Sequence, residues 1–131
     1  MRRNWTERGA GDPPTIVNLQ EKFDRIREYW RPKIAAELND SHVKLVKLKG
    51  EFVWHHHERE DELFLLVDGD LRIELRTGAL RLRPGELAVI PRGMEHRPVA
   101  TDEVHVLPLE PKTTVNTGRV RSDRTVDPEW I

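Results

Sequence analysis

Cysteine is absent from the sequence, which removes disulfides, thiolate nucleophiles and zinc–thiolate sites from consideration. No 18-residue apolar window occurs, so no segment reads as a membrane-spanning helix. The opening MRRNWTERGAGDPP carries two arginines with no apolar run after them, and reads as neither a secretory nor an export signal; the expected compartment is the cytoplasm. No charge of one sign dominates. With 22 basic and 23 acidic residues, nothing calls for nucleic acid or a membrane surface as partner. The short run RVRSDR at 119–124 reads as a solvated strand or tail rather than a phosphate reader. Neither a Gly-rich phosphate loop, nor a Ser-His-Asp arrangement, nor a repeat of fixed period is legible.

The chain has the length of one domain, with room for one apolar core. Residues 1–14, polar and rich in Gly and Pro, are expected to form a mobile arm. From Asn18, the apolar residues Leu19, Phe23, Ile26, Tyr29 and Trp30 recur at helical spacing and predict an amphipathic helix, packed on a sheet or on a partner subunit. Pro32 interrupts it, and Ile34 to Leu38 are expected to add one more turn. Beyond LNDS the period falls to two. Strands are expected at 42–50, 62–69, 71–78, 79–85, 86–93 and 104–111, with hairpin turns at VDGD (67–70) and in LRTGAL (75–80). Many short strands, one helix and no alternation of strand and helix indicate an all-β sandwich or barrel. The single domain divides into an arm and helix (1–40), a barrel (41–111) and a tail (112–131). In the tail, Val115, Val120, Val126 and Trp130 are available to lean on the body.

Three consecutive histidines lie mid-chain in EFVWHHHEREDELF, far from where a purification tag would sit. If 52–57 is extended, side chains alternate between faces, and His55 and His57 share one face about 6.6 Å apart along the strand. Their imidazoles can converge on one ion, whereas His56 points away with Trp54. Glu62 opens the next strand in phase with Phe64 and Leu66, where a carboxylate is costly to bury unless paired or metal-bound. A fourth ligand should come from another strand. His96 qualifies, because PGELAVIPRGMEH delivers it just after a Pro-x-Gly turn.

The stretch Gly50, His55, His57, Glu62, Gly69 resembles the first cupin motif. The stretch Gly85, Pro91, Gly93, His96 resembles the second, with 15 residues (70–84) between them, the spacing of small bacterial single-domain cupins. Gly50 stands one residue closer to the first histidine than the usual pattern, and Ala100 stands where an Asn commonly ends the second motif. The wording of the chain also resembles a group of mostly uncharacterised cupins often labelled mannose-6-phosphate isomerase-like, a label of fold analogy that says little about substrate. The resemblance implies an all-β cupin jelly-roll barrel (double-stranded β-helix) with an N-terminal helix. It implies one divalent ion on His55, His57, Glu62 and His96, and a homodimer. Three imidazoles and a carboxylate suit iron, manganese, nickel, cobalt or zinc.

A four-ligand site leaves positions open, the mark of a catalytic metal site. The expected function is therefore a metal-dependent enzyme acting on a small polar organic molecule, by oxygen chemistry at iron or Lewis-acid isomerisation, elimination or hydrolysis at another metal. The alternative is a non-catalytic module binding a small carbohydrate or organic acid. Tyr29, His42, Glu95, His105 and Glu110 are the remaining groups able to move a proton. Of these His105, expected to face inward in phase with Leu107 and Leu109, and Tyr29 are the catalytic candidates. Arg92 and Arg97 flank the turn before His96 and are candidates for meeting an anionic substrate. The TTVNTG stretch (113–118) either folds over the barrel mouth or forms an ordinary capping strand.

Overall fold

The computed structural model describes residues 13–131, so the arm expected at 1–14 lies outside the described residues except for exposed Pro13 and Pro14. In chain order the elements are α1 (Leu19–Arg25), β1 (Lys33–Leu38), β2 (Ser41–Glu51), β3 (Glu62–Asp68), β4 (Leu71–Leu75), β5 (Gly78–Leu82), β6 (Leu87–Ile90), β7 (His96–Pro111) and β8 (Glu129–Trp130). The spine is the antiparallel pair β2–β7, in register from Ser41↔Pro111 to Glu51↔Val99. The other edge of β7 is divided between two strands. Its first half takes β4, from Leu75↔His96 to Arg72↔Val99, and its second half takes β3, from Asp68↔His105 to Leu63↔Leu109. Strand β5 extends from β4, and β6 from β3. On the far side, β1 and then β8 continue from β2.

Two leaves that leave one long strand at different heights can bury a common face, and they do so here. Val46, Leu48, Phe64, Leu66, Leu71, Ile73, Val104 and Val106 form the core between them. This is the expected all-β jelly roll with one short helix. Helix α1 covers part of the outer face through Phe23 and Ile26, which pack with Ala35 and Leu45. Asn18 caps it by accepting the Glu21 N–H at 2.9 Å.

Four expectations are corrected. The helix ends at Arg25 instead of reaching Tyr29 and Trp30. Trp30 is pulled off the helical path because its backbone N–H and its indole N–H bond the carbonyls of Lys47 and Lys49, each at 2.9 Å, while its ring stacks on Phe52 in the core. Its φ of 65° records that detour. Residues 34–38 form a strand, since Pro32 disfavours helix before it and the ladder to β2 satisfies the backbone after it. Asn39, at φ 51°, makes the turn of that hairpin. VDGD joins strands that do not pair with each other, because both β3 and β4 hydrogen-bond β7. Gly69 in that crossing has φ +98°, and a Cβ there would lie 2.6 Å from Val104 Cγ1. The turn at Arg76-Thr77 is a true hairpin, Leu75↔Gly78.

The fourth correction is the phase of 104–111. Val104 and Val106 face the core, so His105 and Leu107 face outward, beneath α1. Apolar residues occupy both faces of this strand, and alternation alone does not say which face is inside.

Candidate metal centre

The local backbone brings the quartet together. At Gly50, φ +90°, the β2–β7 register shifts and the chain leaves the regular ladder. It still tracks β7: the Phe52 N–H bonds Pro98 O at 3.0 Å, and His55 and His96 exchange N–H···O bonds at 3.1 and 2.9 Å. The Gly93 N–H then bonds His57 O at 2.8 Å, tying the Pro91–Gly93 turn to the same segment. His55 and His57 are therefore held beside the first residue of β7, and Glu62 arrives as the first residue of β3. All four side chains are buried, with relative exposures of 3%, 4%, 6% and 0% for His55, His57, Glu62 and His96. One ligand atom from each lies within 4.8 Å of every other. His56, between two buried histidines, is half-buried and stands outside the quartet.

The ring orientations are also fixed. Nδ1 of His55 and Nδ1 of His96 each lie 2.9 Å from a carbonyl oxygen, of Val53 and Met94 respectively. A carbonyl only accepts, so each Nδ1 carries a proton, and Nε2 is the atom that the neutral ring offers to an ion. Glu62 Oε1 approaches His57 Nε2 to 3.2 Å and His96 Nε2 to 3.4 Å. Neither contact is a hydrogen bond, and all three buried atoms are left without a hydrogen-bond partner. Burial and the neighbouring His96 push the His55 pKa down to about 4, which keeps the ring neutral. Burial alone would raise Glu62, but its contacts with Glu110, His57 and His96 outweigh that and hold its carboxyl well below the usual carboxylate range. Three imidazoles and an ionised carboxylate, converging on one point with unmet bonding capacity, are a donor set that could hold a divalent ion.

The cavity beside these residues is small, about 40 Å³, and lined by apolar side chains such as Trp30, Phe52 and Phe64 together with His55, Glu62, Glu110 and Asn116. Asn116 belongs to the TTVNTG stretch, which forms turns and no strand and reaches the cavity wall. Its amide donates to Arg124 O at 2.7 Å, and Gly118 sits where a Cβ would strike the His56 carbonyl.

The other candidates lie elsewhere. Arg92 turns to Asp61 at the surface, 3.2 Å from Nε to the carboxylate. Arg97 pairs with Glu74 and Glu51 on the outside, where its guanidinium and that of Arg76 flank the Trp54 ring. Neither arginine lines the cavity. Tyr29 and His105 do meet, but around Glu103 on the outer face: the tyrosine hydroxyl donates to Oε1 at 2.9 Å, and His105 Nε2 lies 2.7 Å from Oε2. Glu95 is exposed beside Arg76, and His42 lies 3.5 Å from Glu37. What the sequence reading did not assign is a buried pair on the inner wall. Lys44 Nζ donates to Glu110 Oε1 at 2.8 Å, and each side chain is 2% exposed. The alternation Val104, Val106, Pro108, Glu110 was the available signal.

Comparison with known proteins agrees with this geometry. The family described as Cupin domain matches residues 42–109, more than half of the chain, and the chain belongs to that family. It is 38% identical over 83 residues to the uncharacterized protein YdbB of Bacillus subtilis (strain 168), covering 63% of this chain and 74% of that one. Among solved structures it is similar to a cupin-2 domain containing protein from Shewanella frigidimarina, with 43% identity and a TM-score of 0.72 over 73% of this chain and 94% of that one. It is also similar to protein NMB1881 from Neisseria meningitidis, with 32% identity and a TM-score of 0.69 over 74% of this chain and 99% of that one.

Proposed function

We propose that this cupin is a metal-dependent enzyme acting on a small polar organic molecule, with His55, His57, Glu62 and His96 as the ligands of one divalent ion. The observation that carries the reading is the set of buried atoms turned toward one another without partners: His57 Nε2, Glu62 Oε1 and His96 Nε2. Leaving several such atoms unmet in a buried site costs on the order of 1–3 kcal/mol each, a cost a bound cation removes. Iron, manganese, nickel, cobalt or zinc each suit this donor set, and the ion supplies Lewis acidity or, if redox-active, oxygen chemistry. The chain's own part is to keep the His55 ring neutral, to fix His55 and His96 by carbonyl hydrogen bonds, and to surround the open side with apolar walls. The cavity beside the quartet is small, and Asn116 is part of its wall.

A second reading is a non-catalytic module that uses the ion to hold a small carbohydrate or organic acid. It is favoured by the scarcity of proton-transfer groups on the wall, where, among the described residues, Glu110 is the only carboxyl besides Glu62. Elemental analysis of protein purified without a tag tests both. A stoichiometric transition metal supports the metal centre, iron directing assays to oxygen chemistry and zinc or manganese to Lewis-acid chemistry. A metal-free protein that takes up none of these ions on reconstitution overturns it.

We further propose a homodimer and a cytoplasmic location. No helix among the described residues is long and apolar enough to cross a membrane. The helical stripe expected to seat a partner is largely used on the chain's own sheet, where Phe23 and Ile26 are 1% and 2% exposed. The face that remains is the outer side of β3 and β6, where Val89 is paired with Leu63 and Leu87 with Leu65. Leu87 and Val89 are 56% and 52% exposed on β6, which among the described residues pairs only with β3. Such a face closes on itself across a two-fold axis. Light scattering should give twice the chain mass for the intact protein and a monomer for Leu87→Arg/Val89→Arg. A monomeric intact protein at micromolar concentration contradicts it.

A further inference from the structure

The histidine quartet is flanked by cavities that differ in size and in chemistry. The one that reaches His55 and Glu62 holds about 40 Å³ and is walled mostly by apolar side chains. The one that reaches His57 holds about 180 Å³ and lies between residues 56–60 and 113–119. A polar molecule gives up its hydration against apolar walls and finds new hydrogen-bond partners against polar ones. The second cavity is therefore the better seat for it. Gly118 lets the two segments approach there, since a Cβ at that position would strike the His56 carbonyl. His57 itself is 4% exposed, and its Nε2 lies 3.2 Å from Glu62 Oε1, so the cleft borders the quartet directly.

The charged side chains of this cleft are not equally occupied. Glu58 pairs with Arg119 at 2.7 Å, and Glu60 accepts the Thr113 hydroxyl at 2.8 Å. Arg59, which is exposed and lines the same cleft, has no ion pair or hydrogen bond to another side chain among the described residues. A guanidinium presents a planar fork of N–H donors that matches the oxygens of a carboxylate or phosphate. Arg119 is a second such group within reach. Its side chain is 74% exposed, and an ion pair so exposed contributes little, so it can turn to a ligand at small cost.

We propose that this cleft is a binding site for a small hydroxylated organic anion, with Arg59 holding the oxyanion end and Glu58, Glu60 and Thr113 meeting the hydroxyls. The role expected of Arg92 and Arg97, which are spent on carboxylates elsewhere, thus passes to Arg59. The cleft is built from the chain alone, so it stands apart from the metal-centre reading. Only its use as the seat of a substrate beside the ion rests on that reading.

The test is binding of glycerate, glycerol phosphate and glycerol, which share one carbon skeleton and differ in the oxyanion. Calorimetry gives the affinities, and amide nuclear magnetic resonance gives the location, on metal-free and zinc-loaded protein. The expected result is saturable binding of glycerate or glycerol phosphate at millimolar concentration to both forms, with shifts at 56–60 and 113–119, and none of glycerol. Whichever anion binds more tightly identifies carboxylate or phosphate as the group recognised. Arg59→Gln should weaken binding about tenfold or more, and Arg59→Lys, which keeps the charge without the fork, by less. Val115→Trp, which fills the cleft and leaves Arg59 in place, should weaken it comparably. Arg92→Gln, which breaks the surface pair with Asp61, should bind within about twofold of the parent. Circular dichroism reports the folding of each variant, and exposed Arg59 keeps the test available where the tryptophan variant fails to fold. A parent that binds neither anion overturns the inference, as does glycerol binding as tightly as the anions or unchanged affinity in folded Arg59→Gln or Val115→Trp. Anion binding to the zinc-loaded form alone would assign the anion to the ion and overturn the cleft. Anion binding by a protein that takes up no zinc would support the cleft while counting against the metal centre.

Discussion

Two clusters of ionisable side chains lie on opposite faces of the same strand pair, β2–β7, and they are built from similar residues. The inner one joins Lys44, Glu110 and Glu62 to three histidines. The outer one joins Lys47, Glu103 and Tyr29 to His105. In the outer cluster the polar atoms find partners within the chain. Lys47 Nζ donates to Ile26 O at 2.8 Å, Glu103 receives Tyr29 and contacts His105, and the His105 ring stacks on Phe23 at 4.6 Å. Its effect is to clamp α1 and the segment after it onto the sheet. In the inner cluster, burial is deeper and bonding capacity is left over. Residue type does not distinguish a ligand site from a clamp; unmet buried donors and acceptors do.

The largest expected effect separates the faces outright. His57→Ala or His96→Ala should lose most of the bound metal, whereas His56→Ala, one residue from two ligands but outside the quartet, should keep it. Metal content across the three variants decides this, and equal loss in the His56 variant would break the assignment of faces. Removing the ion from the intact protein should lower its melting temperature and leave a β-rich circular dichroism spectrum, because the apolar core between the two leaves persists without it. An unfolded spectrum after chelation would instead make the ion chiefly structural.

A smaller effect comes from His55 in the metal-free protein. Its folded pKa, pushed down to about 4, lies below the ordinary value of about 6.5, so the unfolded chain binds its proton first as pH falls. Stability is therefore full above the unfolded value and declines toward the folded one, by about 2 kcal/mol between roughly pH 6.5 and 5. Glu62, held below the usual carboxylate range, adds a further loss only at more acid pH. Urea midpoints of the metal-free protein measure this, and a flat profile over that window contradicts the neutral, buried ring. The smallest effects belong to the clamp. His105→Ala, which removes the stacked ring, should cost about 1 kcal/mol, and Tyr29→Phe should lower the melting temperature only slightly. Neither should change metal content. Metal loss in the His105 variant would mean that the two faces are coupled.

The quartet was legible because its signal is local: alternation at 55 and 57, phase at 62, and a turn-borne histidine at 96 fix four directions without knowledge of the whole fold. The strands at 42–50, 62–69 and 79–85 were legible for the same reason. Where both faces of an element are apolar, as at 104–111, periodicity lost the direction, and with it the Lys44–Glu110 pair. Residues 34–38 and Trp30 were set by distant partners, the β2 ladder and the carbonyls of Lys47 and Lys49, which no window of local sequence contains. The crossing at Gly69 was misassigned for a related reason. An Asp-Gly pair states that the chain turns, and not which strand it pairs with next.

The central claim is that the inner cluster is a metal centre, and X-ray absorption at the edge of the bound metal tests it most directly. The account predicts scattering from imidazoles of three histidines, together with oxygen from one carboxylate, in the parent, and a reduced imidazole contribution in His57→Ala protein reconstituted with excess metal. A spectrum with oxygen neighbours and no imidazole scattering would contradict it.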